Sequence, residues 1–115
     1  MIIRKEFSFE SGHFLYNHPA KCRNMHGHSY RLYVSVEGPV DPVTGMVMDF
    51  GDLVKLVQGA VVEKLDHKFL NDIIPLSTSE NIAIWIWQQL KPILPGLCQL
   101  ELFETTGSCV IYRGE

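Results

Sequence analysis

The stretch His28-Ser29-Tyr30-Arg31-Leu32-Tyr33-Val34-Ser35-Val36-Glu37 decides the fold class. Tyr30, Leu32, Val34 and Val36 alternate with Ser29, Arg31, Tyr33 and Ser35, the two-residue period of an antiparallel strand with one face in a core and one outside it. Gly38-Pro39 ends it. Upstream, Ile3, Lys5, Phe7 and Phe9 alternate with Ile2, Arg4, Glu6 and Ser8, which predicts a shorter strand with its aromatic pair on one face, stopping at Ser11-Gly12. From His13 to Asn24 no period is sustained, and Asn17, His18, Pro19 and Lys21 bring turn chemistry, so a loop is expected.

Downstream the period changes. After a turn at Asp41-Pro42-Val43-Thr44-Gly45 and a short extended piece through Met46 to Met48, Asp49 is placed to cap a helix. Phe50, Leu53, Val54, Val57, Val61 and Leu65 recur at spacings of three and four, predicting an amphipathic helix over 50–65 despite Gly59. Thr78 or Ser79 can cap a second helix from about Glu80 to Leu94, ended by Pro95-Gly96. Leu97 to Thr105 and Ser108 to Arg113 then read as two strands joined by a tight turn at Thr106-Gly107. The order strand, strand, helix, helix, strand, strand predicts an α+β layer: an antiparallel four-stranded sheet with two helices on one face. The other face stays uncovered and two edges stay open, so the edges are expected to pair with neighbouring subunits as a homo-oligomeric barrel.

Composition narrows the function classes. With 115 residues, 46% of them hydrophobic and 20% charged, the chain has the makings of a single folded domain over 1–115. A net charge of −3 and a pI near 5.9 supply no basic field, which argues against nucleic acid as a partner. Cys22, Cys98 and Cys109 form no CxxC pair and leave one thiol over under any single disulfide, as suits a reducing compartment. Cys98 and Cys109 fall in strand patterns and are expected to be small core residues. The N-terminus lacks an apolar signal core and no aliphatic run approaches the ~20 residues needed to cross a bilayer, so a cytoplasmic, membrane-free protein is expected.

His26-Gly27-His28 carries the chemistry. Side chains two residues apart on a strand share a face, and the glycine between them lets another group approach the backbone. His13, ending the preceding strand, is the natural third ligand, and three neutral imidazoles suit Zn²⁺ with its fourth position open to water or substrate. His18 lacks such a geometric argument and is expected at the surface. Cys22 sits among Lys21, Arg23 and Asn24, where neighbouring cations favour a thiolate; the same spacing also permits it as a fourth, structural zinc ligand. Asp66-His67 is either a helix-end surface pair or a carboxylate orienting a general base. Glu104 closes an apolar strand; it is solvated, or it points inward and needs a partner offering two parallel N–H donors.

Taken together, Cys22-Arg23-Asn24-Met25-His26-Gly27-His28, Asp41-Pro42-Val43-Thr44-Gly45-Met46, Leu65-Asp66-His67, Thr78-Ser79-Glu80-Asn81, and Glu104 ahead of Ile111-Tyr112-Arg113-Gly114-Glu115 resemble the 6-pyruvoyl-tetrahydropterin synthase family and its bacterial 6-carboxy-tetrahydropterin synthase branch. The resemblance covers essentially the whole chain. It implies a tunnelling fold (T-fold) whose subunits join their sheets into a barrel, as a hexamer built from two trimers with active sites at subunit interfaces. It implies Zn²⁺ on His13, His26 and His28, proton transfer by Cys22, Asp66 and His67, and a pterin ring anchored by Glu104 with further contacts from Thr78 and Ser79. The implied substrate is 7,8-dihydroneopterin triphosphate. The pyruvoyl enzymes of tetrahydrobiopterin synthesis eliminate its triphosphate, whereas the carboxy enzymes of the queuosine and 7-deazaguanine pathway also cleave the side chain and release acetaldehyde. The Cys-x3-His-Gly-His spacing resembles the carboxy branch, since the pyruvoyl enzymes typically carry two more residues there. A non-catalytic module holding a pterin or purine in the same pocket is the expectation from a different class.

Overall fold

The computed structural model of the chain describes residues 1–13 and 26–115, with only the backbone described at His26. Strands β1 (Ile2–His13) and β2 (His26–Glu37) pair antiparallel along their whole length, from Ile2 opposite Glu37 to His13 opposite His26. Phe7 and Phe9 on β1, and Tyr30, Leu32, Val34 and Val36 on β2, are buried, as the alternation requires. β1 runs past its expected stop at Ser11-Gly12. Its alternation continues through Ser11 and His13, both buried, but with polar residues that hide the period from a hydrophobicity reading.

Asp49 caps helix α1 (Phe50–Val57) by accepting from the amides of Gly51 and Asp52. The helix continues as a π-helical turn over Gln58–Val62, which contains Gly59, and a last turn, α2 (Glu63–Leu65). Leu53, Val57, Val61 and Leu65 are buried at steady four-residue steps. Four residues of an α-helix overshoot a full turn by about 40°, and the wider π turn takes up that drift and keeps Leu65 in the core. Asp66 then leaves the helix in an extended conformation, and His67 adopts a left-handed φ of 56°. The chain enters a two-residue strand, β3 (Lys68–Phe69), parallel to β1 at Ser11 and Gly12.

Thr78 caps α3 (Ser79–Leu90) through the amide of Asn81. The helix ends four residues before the expected Leu94: ahead of Pro95 the backbone tightens into i→i−3 turns, Ile93 donating to the Leu90 carbonyl and Leu97 to that of Leu94, and the Lys91 ammonium donates to the carbonyls of Pro95 and Leu97 at 2.8 and 3.0 Å. β4 (Leu97–Thr105) and β5 (Ser108–Tyr112) close the chain as a hairpin. Among the described residues the sheet has five strands in the order β3-β1-β2-β4-β5, where four were expected. The additional strand is too short to show a period in sequence and pairs parallel, against the all-antiparallel expectation.

α1 and α3 share one core with the sheet, in which Leu53, Val57, Ile82, Ile86 and Leu90 join Tyr30, Leu32, Leu100 and Leu102. The opposite face carries Arg4, whose guanidinium lies 4.6 Å from the Tyr33 ring centroid and 3.0 Å from the Glu101 carboxylate. Cys109, expected in the core, is exposed there, and Cys98 is half-buried. Cys109 pairs in register with Phe103 on the uncovered face, while its neighbours Val110 and Tyr112 pack against the core. No helix among the described residues is long and apolar enough to cross a membrane.

Gly96 marks a close approach: its carbonyl accepts from the Glu37 amide at 2.8 Å, and a Cβ there would stand 2.8 Å from the Glu37 carbonyl oxygen. Gly96→Ala is expected to cost ~1–3 kcal/mol, read as a lower urea midpoint at unchanged slope. Gly59→Ala, with open space around its Cβ, is expected to be neutral or to stabilise by up to ~1 kcal/mol in the same measurement.

Candidate active site

The end of the β1–β2 ladder places His13 in the interior, with its Nδ1 2.8 Å from the carbonyl oxygen and 3.3 Å from the hydroxyl of the fully buried Ser77. His13 Nε2 lies 3.5 Å from both the Tyr30 hydroxyl and Glu104 Oε1. As an imidazolium, His13 donates from both nitrogens. As a neutral ring it keeps its proton on Nδ1 for the Ser77 carbonyl, and Nε2 becomes the atom that can bind a metal.

Glu104 reaches this point through a β-bulge. Phe103 pairs with Cys109 and Thr105 with Ser108, so Glu104 is the extra residue on β4. A bulge re-aims the side chain it carries, and here the carboxylate turns inward. Its Oε1 stands 2.8 Å from His28 Nε2, while Oε2 accepts from the Ser79 hydroxyl at 2.8 Å. The Glu104 carboxyl is held down at about 2, by its hydrogen bond with His13 first, then by the Ser79 hydroxyl and the charge of His28, against the opposing effect of burial. Beneath the cluster, Tyr30 stacks on Phe9 at 5.1 Å and presents its ring edge-on to both histidines. Burial, and then the Glu104 charge, push its hydroxyl pKa upward, so it remains a donor.

His13, His28 and Glu104 bring ligand atoms within 4.8 Å of one another, a set that can hold a metal ion. Two imidazole nitrogens and a carboxylate oxygen are ordinary zinc donors, and the Ser77 carbonyl is the type of outer partner that fixes a ligand histidine's tautomer. Of the ligands expected from sequence, His13 and His28 therefore come together. His26 pairs with His13 through the backbone ladder, and its side chain lies outside the described residues, as does Cys22. Glu104, expected to anchor a pterin ring, also borders a small pocket of about 210 Å³ lined by Ser79, Ser108 and Val110. Ser79 binds Glu104, whereas the Thr78 hydroxyl is engaged in capping α3.

Asp66 and His67 form the carboxylate–imidazole pair anticipated from their adjacency, with Oδ2 3.0 Å from Nδ1. β1 holds both: the Glu10 amide donates to Asp66 Oδ1 at 2.9 Å, and the His67 amide donates to the Glu10 carbonyl at 2.6 Å. The pKa of Asp66 is lowered chiefly by that Glu10 amide and then by His67. The imidazole is largely exposed beside a cleft of about 420 Å³ that His28 also borders. Sequence reasoning missed Glu10, Tyr30 and Ser77. Glu10 and Ser77 act partly through backbone atoms that leave no residue-type signal, and Tyr30 reads as core because its ring is core.

Known proteins resemble this chain in sequence and in fold. A family model described as 6-pyruvoyl tetrahydropterin synthase matches residues 2–115. The chain is 45% identical to a Synechocystis protein named 6-carboxy-5,6,7,8-tetrahydropterin synthase, over 96% of this chain and 92% of that one. It is 37% identical to the human 6-pyruvoyl tetrahydrobiopterin synthase, over 98% of this chain and 91% of that one. The solved structure of the Caenorhabditis elegans 6-pyruvoyl tetrahydropterin synthase superposes with a TM-score of 0.91 at 29% identity, covering 100% of this chain and 96% of that one.

Because the Glu10 amide is the largest single cause that lowers the Asp66 pKa, the Asp66 carboxyl should titrate below the ordinary aspartate range in carboxyl-carbon NMR, and His67→Ala should leave part of the shift in place. Full restoration in His67→Ala would place the cause in the imidazole instead.

Proposed function

The chain belongs to the 6-pyruvoyl tetrahydropterin synthase family of lyases, and we propose that it converts 7,8-dihydroneopterin triphosphate and water to 6-carboxy-5,6,7,8-tetrahydropterin, releasing acetaldehyde and triphosphate. The observation that carries this reading is the convergence of His13, His28 and Glu104 on one point, below 4.8 Å between ligand atoms. The carboxy branch is favoured by the short Cys22–His26 spacing and by the 45% identity to the Synechocystis carboxy enzyme. A pyruvoyl product is the second reading, supported by the similarity to the human pyruvoyl enzyme across 98% of the chain.

A zinc ion on His13, His26 and His28 would supply Lewis acidity for the oxygens of the substrate side chain. The protein's own groups do the rest. His67, oriented by Asp66 through Nδ1, offers Nε2 to move a proton at the substrate's carbon, and Cys22 as a thiolate takes one from the opposite side. Glu104, ionised and therefore acceptor-only, holds the aminopyrimidinone edge by two parallel N–H bonds, with Ser79 steadying its second oxygen. The extended sheet edges support assembly into a homo-oligomeric barrel, which we take to be a hexamer acting in the cytoplasm.

Incubation with 7,8-dihydroneopterin triphosphate and mass spectrometry of the products is the deciding experiment. Carboxytetrahydropterin with acetaldehyde is expected; pyruvoyltetrahydropterin would select the other branch, and tightly bound, unchanged substrate would indicate a binding module. Cys22→Ala should lower turnover at least a thousandfold while bound zinc stays stoichiometric; zinc lost with the thiol would make Cys22 a ligand. Glu104→Gln, which replaces one acceptor by a donor, should raise KM at least tenfold at unchanged zinc content. A fall in zinc content would instead assign Glu104 to the metal.

A further inference from the structure

Between the 3₁₀ turn at Leu70–Asp72 and the start of α3 the chain has no regular structure, and Pro75 and Leu76 are exposed. Yet three successive carbonyls there each face a side-chain nitrogen. The Asn71 side-chain amide donates to the Pro75 carbonyl at 2.9 Å, the Asn81 side-chain amide donates to the Leu76 carbonyl at 2.9 Å, and His13 Nδ1 stands 2.8 Å from the Ser77 carbonyl oxygen. An exposed carbonyl has water available, so exchanging water for a protein donor contributes only ~1 kcal/mol. Two side-chain amides aimed at adjacent backbone oxygens therefore fix a conformation more than they add stability.

The conformation matters at His13. The Ser77 carbonyl can only accept, so at 2.8 Å it holds the proton of a neutral ring on Nδ1 and leaves the Nε2 lone pair for a metal. Two neighbours favour the opposite tautomer. The Ser77 hydroxyl, 3.3 Å from Nδ1, can donate to a bare Nδ1, and Glu104 Oε1, 3.5 Å from Nε2, accepts from a protonated Nε2. The two Ser77 oxygens differ by only 0.5 Å in their distance from Nδ1, 3.3 against 2.8 Å. A small drift of this backbone hands Nδ1 to the hydroxyl, and the proton then occupies the nitrogen that the metal needs. Asn81 grips both neighbours of Ser77: its side chain holds the Leu76 carbonyl, and its backbone amide donates to the Thr78 hydroxyl at 3.2 Å.

We propose that Asn81 is a positioning residue for the metal ligand His13, its side-chain amide fixing the backbone that presents the Ser77 carbonyl to Nδ1. The inference rests on His13 being a zinc ligand, as in the function proposed above, and extends that reading to a side chain that touches neither histidine nor pterin. Asn71, on the preceding carbonyl, supports the same backbone from the other side.

The test compares the parent protein with Asn81→Asp and Asn81→Leu. Both remove the donor at similar size, and both keep the backbone amide that binds the Thr78 hydroxyl. An acid suits the first turn of α3 and leucine is a good helix former, so the melting temperature should stay within about 5 °C of the parent's. Zinc affinity, measured by competition with a chelator, should fall about threefold to tenfold in both variants, short of the roughly ten- to hundredfold that loss of a direct outer partner costs. In NMR of the same proteins, the His13 Nδ1 proton should exchange with solvent faster in both variants than in the parent. Unchanged zinc affinity, or unchanged exchange, in either variant overturns the proposal and leaves the proposed function standing. A larger fall in melting temperature also overturns it, because the amide would then serve the fold. A parent that binds no zinc fails the proposed function, while faster exchange of the Nδ1 proton in both variants would sustain the hold of Asn81 on His13. A parent without zinc whose variants leave that exchange unchanged overturns both.

Discussion

His13 stands opposite His26, and Ser11 opposite His28, because Phe7, Phe9, Tyr30, Leu32 and Val34 hold one face of the β1–β2 ladder in the core. Register in a two-stranded ladder is a two-state choice at each step: a slip of one residue would move every buried side chain of that strand to solvent and take its candidate histidine, His13 or His28, with it. The hydrophobic effect, acting along the whole buried face from Phe7 and Val34 up to Tyr30 beneath the histidines, thereby fixes where His13 and His28 stand. β1 extends this service at its far end. Within four residues its Glu10 backbone clamps Asp66 and His67, the Ser11 hydroxyl donates to the Leu65 carbonyl at 2.5 Å, and His13 enters the cluster.

The charge arrangement follows from that geometry. An ionised Glu104 in a partly buried position is costly unless it is paired, and His13, His28 and Ser79 each approach one of its oxygens within 3.5 Å. The bulge that delivers Glu104 and the π turn that keeps Leu65 in the core are both local departures from regular structure. Each occurs where a regular element would misplace a side chain: a continuous β4–β5 ladder would give Glu104 a paired position, and an unbroken α-helix would rotate Leu65 out of line. The left-handed φ at His67 is a third such departure, and it presents the imidazole to solvent while its amide is tied to β1. Irregularity next to function is a recurrent use of bulges and π turns.

Much of this was legible in the chain. A short and a long alternating run, two capped amphipathic runs and a closing hairpin specified an α+β layer, because a face buried in one core leaves a period of two or of three and four. Asp49 and Thr78 were readable as caps because a cap depends on residue type and its neighbours. His13, His28, Asp66, His67 and Glu104 were readable as candidates because imidazole and carboxylate are the side chains that bind metals and move protons, while surface roles for Asp66, His67 and Glu104 stayed equally open in the sequence. The two-residue β3, the extension of β1 and the exposure of Cys109 were not readable: the first is shorter than any period, the second continues the period with Ser11 and His13, and the third depends on which face of β5 meets the helices.

The sequence by itself therefore determined the two helices, the four expected strands, their order and the inventory of reactive groups, since these depend on local propensity, residue type and the period of apolar residues. Only the tertiary structure decided that Glu104 turns inward onto His13 and His28, and that Ser77 and Glu10 hold the reactive side chains through backbone atoms. Those facts depend on contacts between residues far apart in the chain, through main-chain atoms common to every residue and through one unpaired position in a ladder, and neither leaves a mark on residue type.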